Sequence, residues 1–196
     1  YRSIETFLRS QTHWVMQRQL KLQETADWAP PPEFTANSKI HYLGQPYSLV
    51  LEAGTKLELS WQESFFQLTY PAHLEISSLY PHIHQVFTHF YRQQAEKILP
   101  QRLACFQPQL PRFCQKLILA NQKSRWGSCN RQGSIRLNWR LILLALPIID
   151  YVVVHELCHL MELNHSQRFW NWVATILPDY QSRRAQLAKM NAVLAW

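Results

Sequence analysis

The chain has 196 residues, 47% of them hydrophobic and 17% charged, and its 20 Lys and Arg against 13 Asp and Glu give a net charge of +7. That apolar content excludes a disordered chain, no apolar run approaches the roughly 20 residues of a membrane helix, and four cysteines without a CxxC pair exclude a disulfide scaffold. The expected setting is reducing and cytoplasmic with no membrane partner, and the charge asks for an acidic partner, a peptide or a nucleic acid.

Residues 3–24 carry helical spacing, from Ile4, Phe7 and Leu8 to Leu20 and Leu22. Pro30, Pro31 and Pro32 end that helix, because consecutive prolines cannot continue it. Residues 1–32 therefore read as a helical arm with a Pro-rich linker, and 33–196 as a single domain. From Lys39 the period shifts toward two. Ile40–Leu43, Tyr47–Leu51, Lys56–Trp61 and Phe65–Tyr70 predict an antiparallel strand meander. Pro81 suits the first turn of a helix, and Ile83, Val86, Phe87, Phe90, Tyr91 and Ala95 follow at helical spacing to Leu99. Gln101–Pro111 is a loop or a continuation of that helix. Lys116–Ala120 and Ser134–Leu137 are strands around a polar stretch, and Asn138 can cap a short helix. Pro147 opens a helix expected to run to about Leu163. Gln167–Leu177 and Tyr180–Ala195 are the last two. The order predicts an α+β fold.

The chemistry lies in His155-Glu156-Leu157-Cys158-His159. Four residues turn about 400° on a helix, so both imidazoles leave one face and can reach one zinc ion at about 2.0–2.1 Å. Glu156, about 100° round, can reach an attacking water without being a ligand. A third histidine, His165, is about 240° off that face on a straight helix, so it joins only if the chain turns after His159. Asn164 is the candidate left-handed cap for such a turn, and Ser166 could cap the next helix. Glu162 competes as third ligand but points past the site on an uninterrupted helix, and His165 is preferred. Three protein ligands leave a fourth position open, as in catalytic zinc sites. Cys158 and Cys129 read as packing thiols. His82 and His84 face different sides of their helix, so with His89 they do not read as a second metal site.

The runs Lys123-Ser124-Arg125-Trp126-Gly127-Ser128-Cys129, Leu137-Asn138-Trp139-Arg140-Leu141, Asp150 to His159, and Asn164-His165-Ser166 with Phe169-Trp170 closely resemble the YgjP-like family of zinc metallopeptidases. That family is related to SprT-like and other zincins. The likeness extends to Pro30–Pro32 and Ile40–Gly44, nearly the whole chain. It implies a zincin-like fold, one zinc ion on His155, His159 and His165, Glu156 as general base, and a peptide or protein substrate. It also implies a strand edge beside the cleft that pairs with substrate; Ser134–Leu137, with Ile135, is the candidate. Arg125 and Trp126 either line the cleft or serve structure, Trp126 in the core and Arg125 tying down its loop. Tyr180 or Tyr151 could donate to an oxyanion. The alternative is a nucleic-acid-associated SprT-like zinc protein, acting on DNA-bound protein or binding only; a zinc amidohydrolase is a third reading. From Lys97 through Ile149 there is no Asp or Glu, so the positive charge gathers in the segment leading into the zinc helix.

Overall fold

The computed structural model describes residues 34–36 and 38–196, so the expected helical arm and linker over 1–32 lie outside the described residues. Strands β1 (Lys39–Tyr42), β2 (Gln45–Gly54), β3 (Glu58–Trp61) and β4 (Phe65–Pro71) form one sheet in the order β1-β2-β4-β3. The expected antiparallel meander is corrected here: β2 and β4 pair in parallel, with Ser48 opposite Phe65, and β3 is displaced to the edge. Period-two alternation places each side chain on a face but does not choose neighbours. Burial chooses them: β4 carries Phe66 and Leu68, both fully buried, and takes a central position.

Helix α1 (Tyr80–Phe106) has Pro81 in its first turn, as expected, and continues through Gln101–Phe106 despite Pro100 within it. Its buried residues Ile83, Phe87, Tyr91, Ala95, Leu99 and Leu103 recur every four positions, one stripe of a long amphipathic helix. The Tyr91 hydroxyl donates to the His41 carbonyl at 2.9 Å, fastening α1 to the first sheet.

The second sheet is β5 (Lys116–Ala120), β6 (Gly127–Cys129) and β7 (Ser134–Asn138), in the order β5-β7-β6. Asn138 caps the short 3-10 turn Trp139–Leu143 by accepting from the Arg140 N–H at 3.1 Å. Helix α2 (Leu146–Cys158) follows and is buried almost all round, from Ile148 to Val154 without a break. Arg102 on α1 holds Asp150 on α2 with two hydrogen bonds of 2.6 and 2.9 Å. Helices α3 (Gln167–Ile176) and α4 (Tyr180–Lys189) pack back on α2.

The basic segment divides. Arg102 is used on Asp150, and Arg140 is buried, donating to Asn121 and to the Trp196 carbonyl. Lys97, Arg112, Lys116, Lys123, Arg125, Arg131 and Arg136 are exposed.

Candidate active site

Helix α2 ends at Cys158, and His159 is its cap residue, with φ −66° and ψ −16°. The Leu160 and Met161 N–H groups bond three residues back, to Leu157 and Cys158, each at 3.0 Å. That tightens the last turn and takes the chain off the helix axis. Asn164 then accepts from the Ser166 N–H at 3.0 Å, and Ser166 caps α3 by accepting from the Phe169 N–H at 3.3 Å. Two expectations are corrected. The helix stops five residues before Leu163, and Asn164 is not left-handed, since Leu43 and Glu63 are the positive-φ non-glycines among the described residues. Tight i−3 bonds and an Asx turn make the corner instead.

That corner brings the third histidine in. Nε2 of His155 lies 3.2 Å from Nε2 of His159 and 3.1 Å from Nε2 of His165. Two nitrogens, each about 2.05 Å from one tetrahedral ion, would stand about 3.3 Å apart, so the donor set fits such an ion. Nδ1 of His159 donates to the Glu162 carbonyl at 3.0 Å, which turns its Nε2 lone pair toward the other two rings. Glu162 thus supports His159 from behind with its main chain, and the cluster of convergent donors is the three histidines. Burial, reinforced by His159, His165 and Arg184, pushes the His155 pKa down to about 3, which keeps it in the neutral form that ligates metals.

Phe169 is the floor. Its fully buried ring lies 4.9, 4.5 and 4.8 Å from the rings of His155, His159 and His165. Trp170 stacks on His165 at 5.6 Å and carries Tyr180 and Arg184 on its ring.

Glu156 is buried, 5% exposed, and its Oε2 has no hydrogen-bond partner. Burial pushes its pKa up to about 8, with the Arg125 charge pulling the other way. Its side chain lies against β6: a Cβ on Gly127 would stand 2.6 Å from Oε1 and 2.7 Å from Cγ. Glycine is needed there for close approach. β6 is the outer strand of its sheet, so one edge faces away from β7.

The substrate-binding candidates separate. Ile135 is fully buried in β7, whose two edges are taken by β5 and β6, so it is a core residue rather than a pairing one. Trp126 is buried, and its carbonyl accepts from the Asn138 N–H at 2.8 Å, so it too serves the core. Arg125 is exposed and felt electrostatically by Glu156. Tyr180 stands one ring away from the histidines, behind Trp170, while Tyr151 is buried with its ring 5.9 Å from His155. Cys158 and Cys129 are pushed up to about 12 and about 11, chiefly by burial, and stay thiols. Sequence reading missed three supports: Phe169 as a floor for all three rings, Gly127 as the seat of Glu156, and the Glu162 carbonyl. The signal for Phe169 was its spacing, four residues past His165 on the helix that Ser166 caps.

Three nitrogen donors leave one position of a tetrahedral ion open, the arrangement of metal centres that act on a substrate rather than brace a fold. The donor set is one that could hold a metal ion, with a buried carboxylate on the same helix as His155. The chain belongs to the YgjP-like family, whose YgjP-like metallopeptidase domain matches residues 1–190. It is therefore a metallopeptidase at the level of the family, with a peptide or protein as the class of substrate. No curated protein matches the chain. Among solved structures it is similar to the metallopeptidase zymogen abylysin of Pyrococcus abyssi, with 22% identity over 47% of this chain and 90% of that one, at a TM-score of 0.38. No described helix is long and apolar enough to cross a membrane.

Proposed function

We propose that the protein is a zincin-like zinc peptidase, with one zinc ion held by His155, His159 and His165 and with Glu156 as general base. The observation that carries this reading is the convergence of the His159 and His165 Nε2 atoms on that of His155, at 3.2 and 3.1 Å, beside a buried carboxylate whose Oε2 has no partner. Bound zinc supplies positive charge that polarises the scissile carbonyl, acidifies the attacking water and favours the ionised form of Glu156. Glu156 takes the proton of that water and hands it to the departing amine. Its seat against Gly127 keeps the carboxylate against one face of β6, whose outer edge is not paired with β7. That edge replaces Ser134–Leu137 as the strand that pairs with an extended substrate.

Glu156→Gln keeps the shape and removes the base. The variant is expected to bind zinc one-to-one like wild type and to lose hydrolysis of a peptide library on the order of a thousandfold. Cleavage at the wild-type rate would remove Glu156 from the mechanism.

A further inference from the structure

Past His159 the site opens into a groove of about 640 Å³. One wall is the turn from Leu160 to Asn164; the other is the stretch around Arg112 and Phe113 with the tip of the β6–β7 hairpin, Asn130–Gly133. The main chain of Glu162 and Asn164 shapes the histidine site, but the side chains of Arg112, Phe113, Arg131 and Leu163 on these walls have no part in the hydrolytic step.

Two features mark it. Phe113 and Leu163 are 55% and 46% exposed, two of the five large hydrophobics left exposed among the described residues, and both line this groove beside Met161. Single exposed apolar side chains are ordinary, but two on one groove at a reaction centre indicate a surface kept for a ligand. The second feature is charge. Arg112 and Arg131 line the same groove, neither forms an ion pair among the described residues, and Glu162 is the acid they share it with.

Both arginines sit on ordered chain. Nη1 of Arg112 donates to the Leu160 carbonyl at 3.1 Å. Arg131 rides a turn closed by the Gly133 N–H to the Asn130 carbonyl at 3.0 Å and by the Ser134 N–H to Asn130 Oδ1 at 2.9 Å. The bond to Leu160 holds the Arg112 guanidinium and the closed turn fixes the backbone that carries Arg131, which lowers the entropy lost on capturing an anion.

We propose that this groove is a substrate subsite that takes an apolar side chain flanked by a carboxylate, and that Arg131 and Arg112 read the acid. The inference rests on the peptidase reading and adds the substrate class, peptides with acidic-apolar segments beside the scissile bond. Phosphates of a nucleic acid would be drawn by the same charge but would leave Phe113 and Leu163 unused, so the peptide is favoured.

The test uses short fluorescent peptides containing Leu-Glu-Glu and twins in which that segment is Leu-Gln-Gln or Gly-Glu-Glu. Binding is measured on zinc-loaded Glu156→Gln, which reads the groove without cleavage, and hydrolysis on the zinc-loaded wild type. The Leu-Glu-Glu peptide is expected to bind about fivefold tighter than either twin at low salt. Arg131→Glu should erase the preference for acid, Lys97→Glu on α1 should leave it, and high salt should weaken the acidic part alone. Equal binding of all three peptides, an unchanged preference in Arg131→Glu, or equal competition by a DNA oligonucleotide would overturn the proposal. A wild type that hydrolyses none of the peptides, while the binding preference persists, would count against the peptidase reading and leave the subsite standing.

Discussion

The molecule holds two groups of three histidines, and one of them makes a site. His82, His84 and His89 lie along α1, where His84 is turned about 200° from His82, and His89 returns to the His82 face only two turns, about 10 Å, further along. His84 stacks on Trp196 at 4.8 Å, and the group forms no metal-capable cluster among the described residues. His155, His159 and His165 start from a four-residue spacing that already shares a face. A corner after His159 adds the third ring, and Phe169 holds all three within 5 Å. The difference teaches that the number of histidines in a segment decides little. A metal centre needs a shared face, a turn that closes it, and an apolar floor that keeps the rings from solvating separately.

The sharpest break of the contrast is removal of a ring. His159→Ala should weaken zinc binding on the order of 100- to 1000-fold in a competitive chelator titration, while His82→Ala with His89→Ala should leave it unchanged. Removing the floor comes next. Phe169→Ala should cost about 3–4 kcal/mol of stability in denaturant unfolding and weaken zinc binding with all three ligands intact; unchanged zinc affinity would make Phe169 a packing residue alone.

Gly127→Ala tests the seat of the carboxylate. The added methyl collides first with Glu156, whose atoms are its three nearest neighbours, so zinc binding should persist while kcat/KM falls about a hundredfold, the scale of an ångström misplacement.

The smallest effect is in pH. In the zinc-free protein, burial holds a proton on Glu156 up to about pH 8, whereas the unfolded chain releases it near the ordinary carboxylate value of 4.5. The folded state therefore binds more protons across that window, and this contribution to stability is lost as pH rises. His155, depressed to about 3, acts in the opposite sense below the ordinary imidazole value of 6.5. Between about 6.5 and 8 Glu156 dominates, and zinc-free stability should fall by about 1 kcal/mol per pH unit. Glu156→Gln should flatten that slope; an unchanged slope would assign it to other groups.

Much of the fold was legible because its elements have strong local signals. The α1 stripe, the Asn138 and Ser166 caps, Pro81 and Pro147 in first helical turns, and strands β5 and β7 all follow from short-range periodicity and capping. The sheet order did not, because β2 and β4 alternate alike whichever neighbour they take, and burial of Phe66 and Leu68 decides the centre. β6 was missed because three residues in a polar stretch carry no period. Its consequence was large, since it occupies the edge of β7 and moves Ile135 from the cleft into the core.

The sequence by itself determined that His155 and His159 share a helical face with Glu156 beside them, because helix geometry fixes those angles within two turns. It also showed that the positive charge gathers between Lys97 and Ile149. The preference for His165 over Glu162 was also legible in the sequence; tertiary contacts alone showed how the chain turns to bring the His165 ring beside the other two, that Gly127 seats the carboxylate, and which arginines are consumed inside and which face the groove. Those choices depend on a corner, a neighbouring strand and a buried partner, contacts between residues far apart in the chain that no local spacing encodes.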